Sequence, residues 1–213
     1  MSDYIRRLPV YLLLDCSGSM RGDPIEAVRQ GVKALLSELR GDPQALETAY
    51  LSVITFDSHA RQIIPLTELM LFEEPELTAT SGATALGEAL RVLMDAIATE
   101  VRQSTPEQKG DWRPMVFILT DGSPTDTIEF EQSVQDIKRA KIATIIACAA
   151  GAKARTDKLR EITDNVLMMN TLSAGDLAQY FAWVSSSVQL QSKKTGAQGE
   201  SSLPPPPQGF VFV

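Results

Sequence analysis

An unbroken apolar run, Leu8-Pro9-Val10-Tyr11-Leu12-Leu13-Leu14, leads directly into the polar string Asp15-Cys16-Ser17-Gly18-Ser19. A run this short and this apolar reads as a strand buried on both faces, which in α/β chains means a central parallel strand. Ligands of open parallel sheets bind beyond the carboxyl ends of the strands, so the carboxylate and hydroxyls at this end form a candidate site. Asp15, Ser17 and Ser19 occupy alternate positions and can point the same way. Together they offer oxygen ligands to a hard cation.

Helical and strand patterns alternate along the rest of the chain. With 213 residues and 44% hydrophobic content, this predicts one α/β domain with a tail. Asp23-Pro24 with Glu26 reads as a capped start to a helix reaching Arg40, with Ile25, Val28, Val32, Leu35, Leu36 and Leu39 on one face. Tyr50 to Phe56 and Arg61 to Leu66 read as strands, the second at an edge. The link from Thr67 to Ser81, with Glu68, Glu73, Glu74 and Glu76, reads as a solvated acidic loop. Helices are predicted over about 85–103, 128–140, 156–162 and 174–191, and strands over Met115–Leu119, Ala143–Ala149 and Val166–Met169. From Ser192 the composition turns polar and then proline-rich, so 192–213 is predicted to be a flexible Pro-rich tail beside a domain of residues 1–191. Its last residues, Phe210-Val211-Phe212-Val213, read as a frayed terminus, with a docking peptide that adds to a sheet edge or fills a groove as the alternative.

A net charge of −7 argues against a nucleic-acid surface, which needs a basic stripe. Cys16 and Cys148 both fall in apolar strands, as buried, reduced thiols do. Arg6-Arg7 before the first apolar run imitates a signal peptide, but Pro9 interrupts the run and Asp15 stands where cleavage wants a small residue. No stretch reaches the ~20 apolar residues of a membrane span. A cytoplasmic location is the expectation.

Two further polar strings accompany the first. Ser81-Gly82-Ala83-Thr84 precedes an apolar helix, and Thr120-Asp121-Gly122-Ser123-Pro124 follows the Met115 to Leu119 strand. The D-x-S-x-S string with these two, in this order, resembles a von Willebrand factor A domain with a metal-ion-dependent adhesion site, over roughly Leu8 to Gln191. Ala83 departs from the pattern, since many members carry a glycine there. The resemblance implies a doubly wound, mostly parallel six-stranded sheet with one antiparallel edge strand and helices on both faces. It also implies a divalent cation held by Asp15, Ser17, Ser19, Thr84 and Asp121: Mg²⁺ first, with Mn²⁺ or Ca²⁺ as alternatives. Such an ion, only partly neutralised, accepts an Asp or Glu carboxylate of a protein partner, which makes the domain a metal-dependent interaction module rather than an enzyme.

Within that family, Leu-Leu-Leu-Asp-Cys-Ser-Gly-Ser-Met, Ile-Leu-Thr-Asp-Gly-Ser-Pro-Thr-Asp and the proline-rich end are similar to the bacterial tellurite-resistance TerY-like proteins. That similarity implies a role in stress or tellurite resistance beside a protein kinase and a PP2C-type phosphatase. The competing reading is a metal-dependent phosphoryl-transfer or hydrolytic enzyme. Against it, Cys16 and Arg21 lack the phosphatase-loop spacing, Ser17 stands where a haloacid-dehalogenase fold wants a second aspartate, and no phosphate-binding glycine loop is present. His59, the sole histidine, has no nucleophile motif near it and reads as a surface residue. A third reading makes Ser123, Thr125 or Thr127 phosphorylation targets beside the site.

Overall fold

The computed structural model describes residues 6–151, 154–193 and 203–213. The polar stretch expected to be a linker lies, from 194 to 202, outside the described residues. Among the described residues, seven strands, β1 (Leu8–Asp15), β2 (Ala49–Phe56), β3 (Ala60–Glu68), β4 (Met115–Thr120), β5 (Thr144–Ala150), β6 (Val166–Met169) and β7 (Val211–Phe212), are interspersed with six α-helices. The helices are α1 (Asp23–Gly41), α2 (Pro43–Thr48), α3 (Leu86–Glu100), α4 (Thr127–Ala140), α5 (Thr156–Ile162) and α6 (Ala174–Ser192). The strands form one sheet in the order β3-β2-β1-β4-β5-β6-β7. β3 and β7, at the two edges, are antiparallel to their neighbours and the others are parallel.

Every residue of β1 is buried, and alternation sends its side chains to two separate cores. Leu8, Val10, Leu12, Leu14 and Cys16 pack with α1 and with Tyr180, Phe181, Trp183 and Val184 of α6. Tyr11 and Leu13 pack with α3, with Phe130 and Val134 of α4, and with α5. This two-sided burial explains why the strand reads as continuous apolar sequence. The chain leaves β1 for β2 on one side and reaches β4 on the other. The crevice between the ends of β1 and β4 is therefore the sheet's switch point.

Five details differ from the sequence expectation. The sheet has seven strands rather than six, because Val211–Phe212 pairs antiparallel with β6 (Leu167 with Phe212, Met168 with Val211). Residues 203–213, expected to belong to a flexible tail, fold back on the domain: Trp183 Nε1–H donates to Pro204 O (3.2 Å) and Phe210 is buried. Helix α1 starts at Asp23 behind Gly22, whose φ of +80° suits glycine, so Asp23 is not the N-cap. The Asp42 carboxylate then opens the unforeseen helix α2 by accepting from the Gln44 and Ala45 N–H groups, both at 3.0 Å. Helix α3 ends at Glu100 rather than near 103, since Val101 is extended and the Arg102 N–H turns to the Asp111 carboxylate (2.8 Å). Among the described residues no helix is long and apolar enough to cross a membrane.

Candidate functional site

Asp15 is the last residue of β1 and is fully buried. Its Oδ1 accepts the Ser17 N–H at 2.8 Å and its Oδ2 accepts the Thr120 hydroxyl at 2.6 Å. Thr120 ends β4, the neighbouring strand, so this second bond crosses the switch-point crevice. The following residue, Asp121, accepts the Ser19 hydroxyl on Oδ1 at 2.7 Å. The Ser17 and Ser19 hydroxyl oxygens lie 3.3 Å apart. A Cβ added to Gly122 would stand 3.0 Å from Thr84 Oγ1, which places that threonine hydroxyl against the Asp121-Gly122 turn. All five side chains singled out in the sequence thus meet at one rim.

The backbone explains why they meet. Cys16 N–H donates to Phe56 O (2.8 Å), Thr80 N–H to Cys16 O (2.9 Å) and Gly18 N–H to Gly82 O (3.1 Å), which fastens the first loop between β2 and the Ser81-Gly82 turn. Thr84 N–H donates to Thr125 Oγ1 (3.1 Å) while Thr125 N–H donates to Thr84 O (2.9 Å). The Asp126 carboxylate accepts from Gly87 N–H (3.2 Å) and Glu88 N–H (2.8 Å), capping α3 from another loop. The threonine loop and the Asp121 loop therefore form one hydrogen-bonded block.

Thr120, Thr125 and Asp126 are the residues that sequence reasoning missed as part of this framework. Thr120 was readable as the residue leading into Asp121. Nothing local announces that Asp126, just before α4, serves the start of α3.

The electrostatics are one-sided. Burial raises the Asp15 carboxyl above its ordinary value; the Ser17 and Thr120 hydrogen bonds offset part of this and the Asp121 charge adds to it. Neither carboxylate has an ion-pair partner among the described residues. Cys16 packs in the core, and burial pushes its thiol up to about 12. His59 is 81% exposed in its side chain, 3.6 Å from Glu88, and takes no part. No group of three or more His, Cys, Asp or Glu residues that could hold a metal ion is found among the described residues. The donor set at this rim is oxygen only, two carboxylates and three hydroxyls, and fits a hard divalent cation.

Comparison with known proteins places this geometry. The profile of the von Willebrand factor type A domain matches residues 10–182. Uncharacterized protein sll0103 of Synechocystis sp. is 32% identical over 126 residues, covering 56% of this chain and 27% of that protein, so the chain spans about a quarter of that curated relative's length. Among solved structures, proximal thread matrix protein 1 from the mussel byssus, with a zinc-occupied MIDAS motif, has a TM-score of 0.60 at 18% identity, over 88% of this chain and 46% of that chain. BatB from Bacteroides thetaiotaomicron has a TM-score of 0.54 at 16% identity, over 86% of this chain and 99% of its own. These two likenesses concern the fold. The matched span holds all five parallel strands, the switch-point crevice and the five rim side chains, and the chain belongs to the von Willebrand factor type A domain family.

Proposed function

We propose that Asp15, Ser17, Ser19, Thr84 and Asp121 hold one divalent cation and that the domain uses it to capture a carboxylate of a protein partner. The observation that carries the reading is the pairing of two carboxylates on adjacent strand ends, held by hydroxyls, with no ion-pair partner for either among the described residues. Each hydroxyl can offer its oxygen lone pair to the cation while its proton goes elsewhere, as the Ser19 proton already goes to Asp121. Thr120 and the Ser17 N–H fix the Asp15 carboxylate without blocking its remaining lone pairs. Three neutral ligands out of five leave the ion electrophilic, and an outside Asp or Glu completes its shell.

Ile128, on the first turn of α4 just past the Asp121 loop, is 86% exposed. It gives the partner an apolar contact beside the charged one. Mg²⁺ is the ion assigned, with Mn²⁺ and Ca²⁺ compatible; the zinc named for the mussel neighbour makes zinc the necessary comparison. The likeness of the motif strings to TerY-like proteins extends the proposal to a cytoplasmic stress or tellurite-resistance system in which a protein kinase and a PP2C-type phosphatase supply the partners.

Calorimetric titration of the metal-stripped chain with each of the four ions, beside Asp121→Asn and Thr84→Ala, tests the first step. Binding by the wild type that both variants weaken supports it, and heats that do not differ among the three proteins sink it. Turnover of an aryl phosphate with Mn²⁺ that is lost in Asp121→Asn would replace the adaptor by the enzyme.

A further inference from the structure

The acidic segment between β3 and the threonine loop is not a loosely solvated connection. Leu69, Phe72 and Leu77 are buried in the core shared with α1. Two α1 arginines clamp its backbone: Arg40 donates to Leu69 O (3.3 Å) and to Phe72 O, and Arg29 donates to Leu77 O (2.7 Å). Between these anchors the turn Glu68 to Leu71, closed by Leu71 N–H to Glu68 O (2.9 Å), holds Met70 63% exposed and Leu71 70% exposed. Leu69 N–H also bonds Ala49 O (3.2 Å) at the start of β2, so the turn sits at the end of the sheet opposite the metal rim. Beside it lies a groove of about 640 Å³, lined by Ile63, Ile64, Leu71 and Pro75 and by Glu73, Glu74 and Glu76. Glu74 has Lys33 at 3.9 Å, while Glu73 and Glu76 have no ion partner among the described residues.

We infer that this groove is a second docking surface, for a protein segment that inserts an apolar side chain against Leu71 and Ile63 and flanks it with lysine or arginine. A backbone already anchored on both sides of the turn lowers the ordering cost of binding, and three carboxylates select a cationic partner. The same carboxylates count against the other occupants. A second copy packed through this face sets its glutamates against their equivalents, and nucleic acid or an anionic membrane is repelled. The chain's own apolar end is on the far edge, six strand spacings of ~4.8 Å away. Recognition is through side chains rather than by strand addition, because Pro65 has no N–H to offer and the Leu66 N–H is taken by Glu100 Oε1 (3.2 Å).

The surface does not depend on the cation, and the test is run on the full chain with chelator present. Fluorescence anisotropy follows three labelled peptides of equal length: leucines among lysines, serines among lysines, and leucines among glutamates. The leucine–lysine peptide is expected to bind best, with its affinity falling about tenfold, a truncation effect of the size seen at interface anchors, in both Met70→Ser/Leu71→Ser and Glu73→Gln/Glu76→Gln. Affinity unchanged in either double variant, or equal binding of the serine–lysine peptide, overturns the assignment. A dimer in sedimentation equilibrium that Met70→Ser/Leu71→Ser dissolves assigns the face to a second copy and overturns it as well.

Discussion

The Thr120 hydroxyl donates to Asp15 Oδ2 across 2.6 Å, joining the carboxyl ends of two neighbouring parallel strands at the candidate site. Thr120 Oγ1 in turn accepts the Gly122 N–H at 3.2 Å, so one buried threonine orients Asp15 and shapes the turn that carries Asp121. Thr120→Val keeps the shape and removes both bonds. It should cost about 1–3 kcal/mol, the penalty of an unsatisfied buried group, and weaken cation binding, while Thr120→Ser restores both. Urea unfolding in chelator and a calorimetric titration read the two effects, and a valine variant equal to wild type in both contradicts the positioning role.

Asp15→Asn separates binding from folding better than Asp15→Ala. Alanine strands the Ser17 N–H and the Thr120 hydroxyl, both held by Asp15, and should destabilise by roughly 1–3 kcal/mol. Asparagine keeps an acceptor for one of them, lets the Thr120 hydroxyl rotate to accept from its amide, and removes the like charge beside Asp121. Its stability in chelator should match or exceed that of wild type, with cation binding abolished. Wild-type affinity for the ion in this variant would falsify the direct role of Asp15.

The C-terminal segment should be separable from the domain. Ending the chain after Ser202 removes β7, the burial of Phe210 and the Pro204 acceptor of Trp183. Phe210 alone accounts for about 1.5–3 kcal/mol of apolar burial. The shortened chain should unfold at lower urea concentration, keep its circular dichroism and show red-shifted tryptophan emission. Phe210→Ser should give a smaller shift of the same sign, and emission unchanged in both removes the contact.

Alkaline pH should destabilise the protein through Cys148. Burial alone pushes this thiol far above its ordinary value. The folded chain keeps a proton that the unfolded chain releases above pH ~8.5, so stability falls as pH rises beyond that value, by up to about 1.4 kcal/mol per pH unit. Unfolding curves between pH 8 and 10 should be less steep in pH for Cys148→Ala than for wild type. Parallel slopes would show that the thiol is not sheltered.

Strand β1 was legible because burial on both faces leaves no room for polar alternation, and the polar string after Leu14 marked where burial stops. The Ser81–Thr84 and Thr120–Asp121 strings were legible for the same reason, as polar groups at the ends of apolar elements. Helix α2 was not, because a six-residue helix has too few positions to show a period. Glu73, Glu74 and Glu76 of the acidic link are exposed as its composition suggests, but its anchoring was not legible, because Leu69, Phe72 and Leu77 follow neither helical nor strand spacing, and its arginine clamps come from α1, 29 to 48 residues away.

By itself the sequence determined which side chains put oxygen atoms at the ends of the apolar elements, which strands are central and that helices cover both faces, since each of these is a local matter of burial and period. Tertiary structure alone decided that Thr120 holds Asp15, that Asp126 caps α3, that residues 211–212 become a seventh strand and that Met70 and Leu71 stand exposed on an anchored turn. Those outcomes depend on segments brought together from far apart along the chain, and a hydrogen bond or a packed side chain leaves no mark in the residues next to it.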